Sequence, residues 1–224
     1  MPLAAPLART PVTGIVSRIE AAQDGVLPSD GDNLEAMHVE ALRRSHLIED
    51  VEHLAEGWQP GPLVRKAQLD LAAVAARRAD GYVDYFEGKG IALERELESI
   101  TVAGDAGRLE QIVDNLLSNA LRYTRAGGRV SLRVRRDGTS ALLEVSDTGI
   151  GIAAEDLGRV FDRSWRGERS RARSTGGSGI GLAVVEELVR AHGGSISVES
   201  TAGQGSCLRV RLAARGQVPI PSLR

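Results

Sequence analysis

The chain has 224 residues, with 28 Lys plus Arg against 30 Asp plus Glu, so its formal net charge of −2 offers no global basic field for nucleic acid. Hydrophobic residues make up 42% but aromatics only 3%, which leaves the core to Leu, Val, Ile and Ala. One cysteine, Cys207, excludes an intramolecular disulfide and fits a reducing cytoplasmic setting, and no apolar run reaches the roughly 18–20 residues of a membrane span or the pattern of a signal peptide.

Taken in chain order, the pattern predicts a helix over 12–24, with Thr10 as its cap and Pro11 at its first position. A turn-rich stretch, 25–32, leads to a second helix over 33–56 whose apolar residues, Leu34 to Leu54, recur at near-heptad spacing. Residues 1–60 therefore read as a helical hairpin, too small for a core of its own and suited to pairing weakly with a second copy or packing on the rest of the chain. Residues 61–68 read as a linker, following the Gly57-Trp-Gln-Pro-Gly-Pro62 run. Residues 69–214 form one further domain, and 215–224 a tail. Within the domain the expected elements are a helix over 69–81, an extended stretch or strand pair over 91–102, and a strong helix from Asp105 to Tyr123. A hairpin of 129–135 with 141–146 turns at Asp137-Gly138, a helix spans 180–192, and a last hairpin pairs 195–199 with 206–212. Antiparallel hairpins without repeating βαβ units indicate an α+β, two-layer sandwich with helices on one sheet face.

Four sequence features carry chemistry. On the helix from Asp105, an advance of about 100° per residue sets Asn115, Asn119 and Arg122 in a polar stripe beside the apolar Leu109, Ile112, Val113, Leu116 and Leu117. A carboxamide oxygen there suits Mg²⁺, although such a stripe taken alone reads as a solvated face. The strand 141–146 delivers Asp147, followed by Thr-Gly-Ile-Gly; a carboxylate at a strand end can accept from an exocyclic amine, and Gly149 and Gly151 let backbone approach a flat ring. Taken alone it is an Asp-Gly turn. Gly176-Gly-Ser-Gly-Ile-Gly-Leu182 opens the next helix and offers free N–H groups to an anion, without the Lys-Ser/Thr of a Walker loop. Between them, 160–174 holds Phe161 and five arginines, Arg166 among them, as in a lid that meets phosphate.

In this order and spacing, Asn-x-x-x-Asn-x-x-Arg-Tyr, Asp-x-Gly-x-Gly, Phe in an Arg-rich stretch and Gly-x-Gly-x-Gly resemble the N, G1, F and G2 boxes of two-component histidine-kinase catalytic domains, over about residues 69–212. The resemblance implies the Bergerat ATP-binding sandwich. It implies that Asn119 holds Mg²⁺ and Asn115 supports the metal–phosphate region, that Arg122 meets phosphate, and that Tyr123 lies near the nucleotide. Asp147 would recognise the adenine amine beside Gly149 and Gly151. Gly177, Gly179 and Gly181 would border the triphosphate, with Leu182 at the same site and Arg166 reaching in from the lid. The implied cofactors are ATP and Mg²⁺, and the implied partner is a response regulator. ATPase relatives usually carry Glu where this chain has Asn115, and an amide is a poor general base, which favours phosphoryl transfer to a protein over hydrolysis.

The N-terminal hairpin resembles the dimerisation hairpin of the same kinases. Ala8-Arg9-Thr10-Pro11 is similar to the end of an H box, but that alignment puts Pro6 where the phosphoacceptor histidine stands and Leu7 at its acidic neighbour. The reading is therefore a truncated or split histidine kinase whose acceptor comes from another chain; a separate histidine-bearing dimerisation protein would serve, and a longer version of the same gene product with sensor and membrane spans upstream is equally compatible. The alternatives are a degenerate nucleotide- or regulator-binding module and an anti-sigma-type serine kinase. His192, before Gly193-Gly194, reads as a helix-capping residue, and Cys207 as a buried, inert strand residue.

Overall fold

A computed structural model of the protein describes residues 66–162 and 181–215. The helical hairpin expected over 1–60, most of the linker, the arginine stretch from Arg163 onward with Arg166, and Gly177 and Gly179 lie outside the described residues.

The described elements run β1 (Ala67–Asp70), α1 (Leu71–Asp80), α2 (Val83–Gly88), β2 (Ala92–Leu97), β3 (Thr101–Gly104), α3 (Ala106–Tyr123), β4 (Arg129–Asp137), β5 (Ser140–Asp147), a 3-10 turn (Ala154–Arg159), α4 (Gly181–Ala191), β6 (Ser195–Thr201) and β7 (Gly205–Ala213). Five strands form one sheet in the order β2-β4-β5-β7-β6, antiparallel except for β2 alongside β4. β1 and β3 form a separate antiparallel pair, and Val102 of β3 bridges to Ala214, just past β7.

The stretch 91–102 does contain two strands, but they do not pair with each other. β2 joins β4 and β3 joins β1, because Glu98, Ser99 and Ile100 separate them with a corner held by Asp70. The Asp70 carboxylate caps α1 by accepting from Ala72 N–H at 2.9 Å, and also accepts from Ser99 Oγ–H and Ile100 N–H. Helix α1 therefore starts two residues later than the apolar pattern suggests, and Leu69 and Asp70 belong to a strand. Helix α2 was not expected; its six residues are bounded by Gly81 and Gly90, and it seats Phe86 in the core.

The core lies between the helices and one sheet face. Alternation places Val130, Leu132 and Val134 of β4, Leu143 and Val145 of β5, and Leu208, Val210 and Leu212 of β7 on that face. They meet Leu109, Ile112, Val113, Leu116 and Leu117 of α3 and Val185, Leu188 and Val189 of α4. The other sheet face carries charges that alternate from strand to strand. Arg133 Nε lies 2.8 Å from Glu96, and the Glu144 carboxylate accepts from Arg209 Nε at 2.7 Å, while Arg209 also reaches Glu199. The two carboxylates hold the Arg209 guanidinium above its ordinary pKa. Cys207 shares this face and is half-buried rather than buried; desolvation raises its thiol pKa and so disfavours the thiolate.

With so few aromatics, Phe86 is a large share of the packing; it is fully buried and lies 6.3 Å, centroid to centroid, from Tyr82. Phe86→Ala should lower the unfolding free energy by about 3–5 kcal/mol, read from the urea midpoint. A loss below about 1 kcal/mol would mean that α2 is peripheral to the core.

Candidate functional site

Helix α3 positions the first set of candidate residues. Asp105 caps it through its side chain, which accepts from Arg108 N–H at 3.2 Å, and six residues from Leu109 to Ala120 are buried. That burial fixes the helix's rotation, leaving Asn115, Asn119, Arg122 and Tyr123 half-buried along its margin. The acidic residues of α3 are engaged elsewhere. Glu110 pairs with Arg77 at 3.3 Å, and Asp114 accepts from Arg78 Nε at 2.8 Å, both toward α1. What remains on the margin is carboxamide and guanidinium.

Asn115 is oriented from within its own helix. Its Nδ2 donates to the Gln111 carbonyl at 3.0 Å, which turns Oδ1 outward. Gly181, the first residue of α4, lies against that oxygen: a Cβ there would stand 2.7 Å from Asn115 Oδ1. A side chain at this position would have to push the Asn115 amide aside, and the contact joins the asparagine stripe to the glycine-rich motif. Leu182 follows, half-buried against the core. Asn119 makes no side-chain hydrogen bond among the described residues, and the group of residues at the site contains no cluster of His, Cys, Asp or Glu able to enclose a metal among those described. This donor set suits Mg²⁺, which takes one or two protein oxygens and leaves the rest to water and phosphate.

The second set lies at the other end of α3. Asp147 ends β5 in register with Leu143 and Val145, so its carboxyl is on the helix-facing side of the sheet. Desolvation raises its pKa above the ordinary 3.8, although it accepts from the backbone N–H groups of Gly149, at 2.7 Å to Oδ1, and Ser206. The following loop is drawn onto α3. Ile150 N–H donates to the Tyr123 carbonyl at 3.2 Å, and a Cβ on Gly149 would overlap that carbonyl. Gly151, at φ +62°, presses against the Thr201 carbonyl, and Ile152 N–H donates to Ser200 Oγ at 2.8 Å. The loop after Asp147 is thus held on both sides by backbone contacts that exclude side chains.

Two contributors carried no sequence signal. Lys89, at the end of α2, donates to the carbonyls of Leu121 and Arg122 in the last turn of α3. Burial and the neighbouring Arg122 lower its pKa, and the pair concentrates positive charge at the α3 C-terminus. The second is the Ser206 N–H on Asp147, visible only once β5 and β7 are paired.

The family described as histidine kinase-, DNA gyrase B-, and HSP90-like ATPases matches residues 104–216. This implies nucleotide binding by the domain. The signal transduction histidine-protein kinase BaeS of Escherichia coli K12 is 32% identical over 205 residues, covering 91% of this chain and 44% of BaeS. The chain thus spans less than half the length of that relative. Among solved structures, the Acinetobacter baumannii histidine kinase AdeS is 26% identical with a TM-score of 0.63, covering 93% of this chain and 97% of that one. Full-length ShkA, in complex with AMPPNP, is also 26% identical with a TM-score of 0.69, covering 96% of this chain and 46% of ShkA.

If the Asp147 carboxylate accepts from the adenine amine, adenine-nucleotide affinity should fall as pH falls, with a midpoint above 3.8 because the bound proton is favoured by desolvation. Asp147→Asn should weaken binding by about tenfold to a hundredfold and remove that pH dependence, as calorimetric titration would show. A variant that binds like the parent would place the base elsewhere.

Proposed function

We propose protein histidine kinase activity for this chain, which belongs to the histidine kinase-, DNA gyrase B-, and HSP90-like ATPase family. The observation that carries the reading is the chemistry of the α3 margin. Asn115 offers an amide that takes up no proton near neutral pH, and the helix's carboxylates, Glu110 and Asp114, are tied to Arg77 and Arg78. No group on this margin is suited to activate water, so the site favours transfer to a positioned protein nucleophile over hydrolysis.

Bound Mg–ATP would supply the phosphoryl group. Asp147 would hold the adenine amine, with Gly149 and Gly151 giving the ring close access to backbone. Asn119 would offer its oxygen to Mg²⁺, Asn115 would support the metal–phosphate region, and Arg122 would meet phosphate beside Tyr123. Gly177, Gly179 and Gly181, with Leu182, would border the triphosphate at the start of α4, and Arg166 would approach from the preceding stretch. These residues bind and orient; the rate would come from position and from charge neutralisation rather than from covalent chemistry on this domain.

The acceptor would be a histidine on another chain, because Pro6 stands at the H-box position. A histidine-bearing dimerisation domain would provide it, and a response regulator would then receive the group. No helix among the described residues is long and apolar enough to cross a membrane.

Incubation of the chain with γ-labelled Mg–ATP and such a dimerisation domain should give acid-labile label on the partner, and Asn119→Ala should reduce it on the order of a hundredfold. Acid-stable label would indicate a serine kinase, free phosphate alone an ATPase, and intact ATP binding with no label a binding module.

A further inference from the structure

Besides their apolar packing, helices α3 and α4 meet through two specific contacts whose spacing matches. At the site, Gly181 opens α4 against the Asn115 carboxamide. At the far end, His192, just past the last residue of α4, reaches the start of α3: its Nε2 accepts from the Asp105 backbone N–H at 3.1 Å. Asp105 precedes Asn115 by ten residues and Gly181 precedes His192 by eleven, so the helices run antiparallel and are tied at both ends of a span of about 15 Å.

The ring has no freedom to serve any other purpose. It is 6% exposed, and its Nδ1 lies 2.7 Å from the Leu188 carbonyl, one turn earlier in its own helix. A backbone N–H can only donate, so Nε2 carries the lone pair and Nδ1 carries the hydrogen that bonds Leu188. Gly104 packs against the ring so closely that a Cβ there would come within 3.1 Å of His192 Cδ2. One nitrogen therefore holds α4 and the other holds the residue that caps α3, with Gly104 packed alongside the ring.

We propose that His192 is a positioning residue for the nucleotide site: it sets the axial register of α4 on α3 so that Gly181, the first residue of α4, meets Asn115. Apolar packing between the two helices, through Val185, Leu188 and Val189, resists separation but fixes their sliding less sharply than a directional hydrogen bond does. A shift of α4 along α3 would carry Gly181 away from Asn115 and spoil the phosphate end of the site. It would leave the Asp147 end in place, because the loop after Asp147 is bonded to Tyr123 at the opposite end of α3. The inference rests on the reading of this site as a Mg–nucleotide site.

Two variants separate the two ring nitrogens. His192→Gln can place an acceptor near the position of Nε2 while losing the Nδ1 donor; His192→Asn keeps a donor for Leu188 but is too short to accept from Asp105. Calorimetry on the full chain with Mg–ATP and with AMP reads the two ends of the site. The expected result is Mg–ATP affinity within about threefold of the parent for Gln and weakened by about tenfold or more for Asn, with AMP affinity changed little in both. Equal Mg–ATP losses in the two variants, or AMP losses that track those for Mg–ATP, would overturn the positioning role. Failure of the parent chain to bind Mg–ATP would overturn the underlying site reading and this inference with it.

Discussion

Helix α3 buries Leu109, Ile112, Val113, Leu116, Leu117 and Ala120 against the sheet, and this burial fixes the azimuth of every other residue it carries. At about 0.8 kcal/mol per buried methylene, rotating such a face toward water would cost far more than any polar contact on the margin could return. The position of Asn115, Asn119 and Arg122 is thus a consequence of apolar packing. Polar bonds then refine it: Gln111 orients the Asn115 amide, while Lys89 sits on the last carbonyls of the helix. The charged outer sheet face complements this arrangement, since it lets the sheet meet water on one side and reserve the other for the helices.

The two glycine motifs gain meaning from the same helix. Gly181 meets α3 at Asn115, and Gly149 meets it at the Tyr123 carbonyl, about 12 Å further along at 1.5 Å per residue. Gly149 lies against α3 backbone, which leaves no room for a Cβ, whereas Gly181 lies against the Asn115 side chain. The polar groups change along this line: the Asn115 carboxamide faces Gly181, Asn119 follows one turn on, and Arg122 and Tyr123 lie at the end of α3 where the half-buried Asp147 carboxylate and its loop approach.

Much of this was legible in the sequence because it follows local periodicity. The α3 stripe, the Asp105 cap, the two hairpins and the two glycine motifs all depend on residues near one another in the chain. Where the partner is remote, the sequence was silent. Nothing near 91–102 indicates that β2 will run parallel to β4 across an intervening helix, and the short α2 between two glycines lacks the length that makes a helical pattern readable. His192 reads as a cap on its own helix, which its bond to Leu188 matches, but its second bond goes to a residue 87 positions away. Lys89 is likewise an ordinary exposed lysine in the sequence, and only the fold shows that it donates to carbonyls 32 and 33 positions away.

The central claim is that this site reads an adenine base through Asp147 and holds its phosphates between α3 and α4. The most direct measurement is a calorimetric comparison of Mg–ATP with Mg–GTP on the full chain. Guanine presents a carbonyl oxygen where adenine presents its amine, so a carboxylate acceptor would face an acceptor. The account predicts ATP binding with GTP weaker by about a hundredfold or more. Equal affinity for the two nucleotides would contradict it, because the base would then be held without the Asp147 carboxylate.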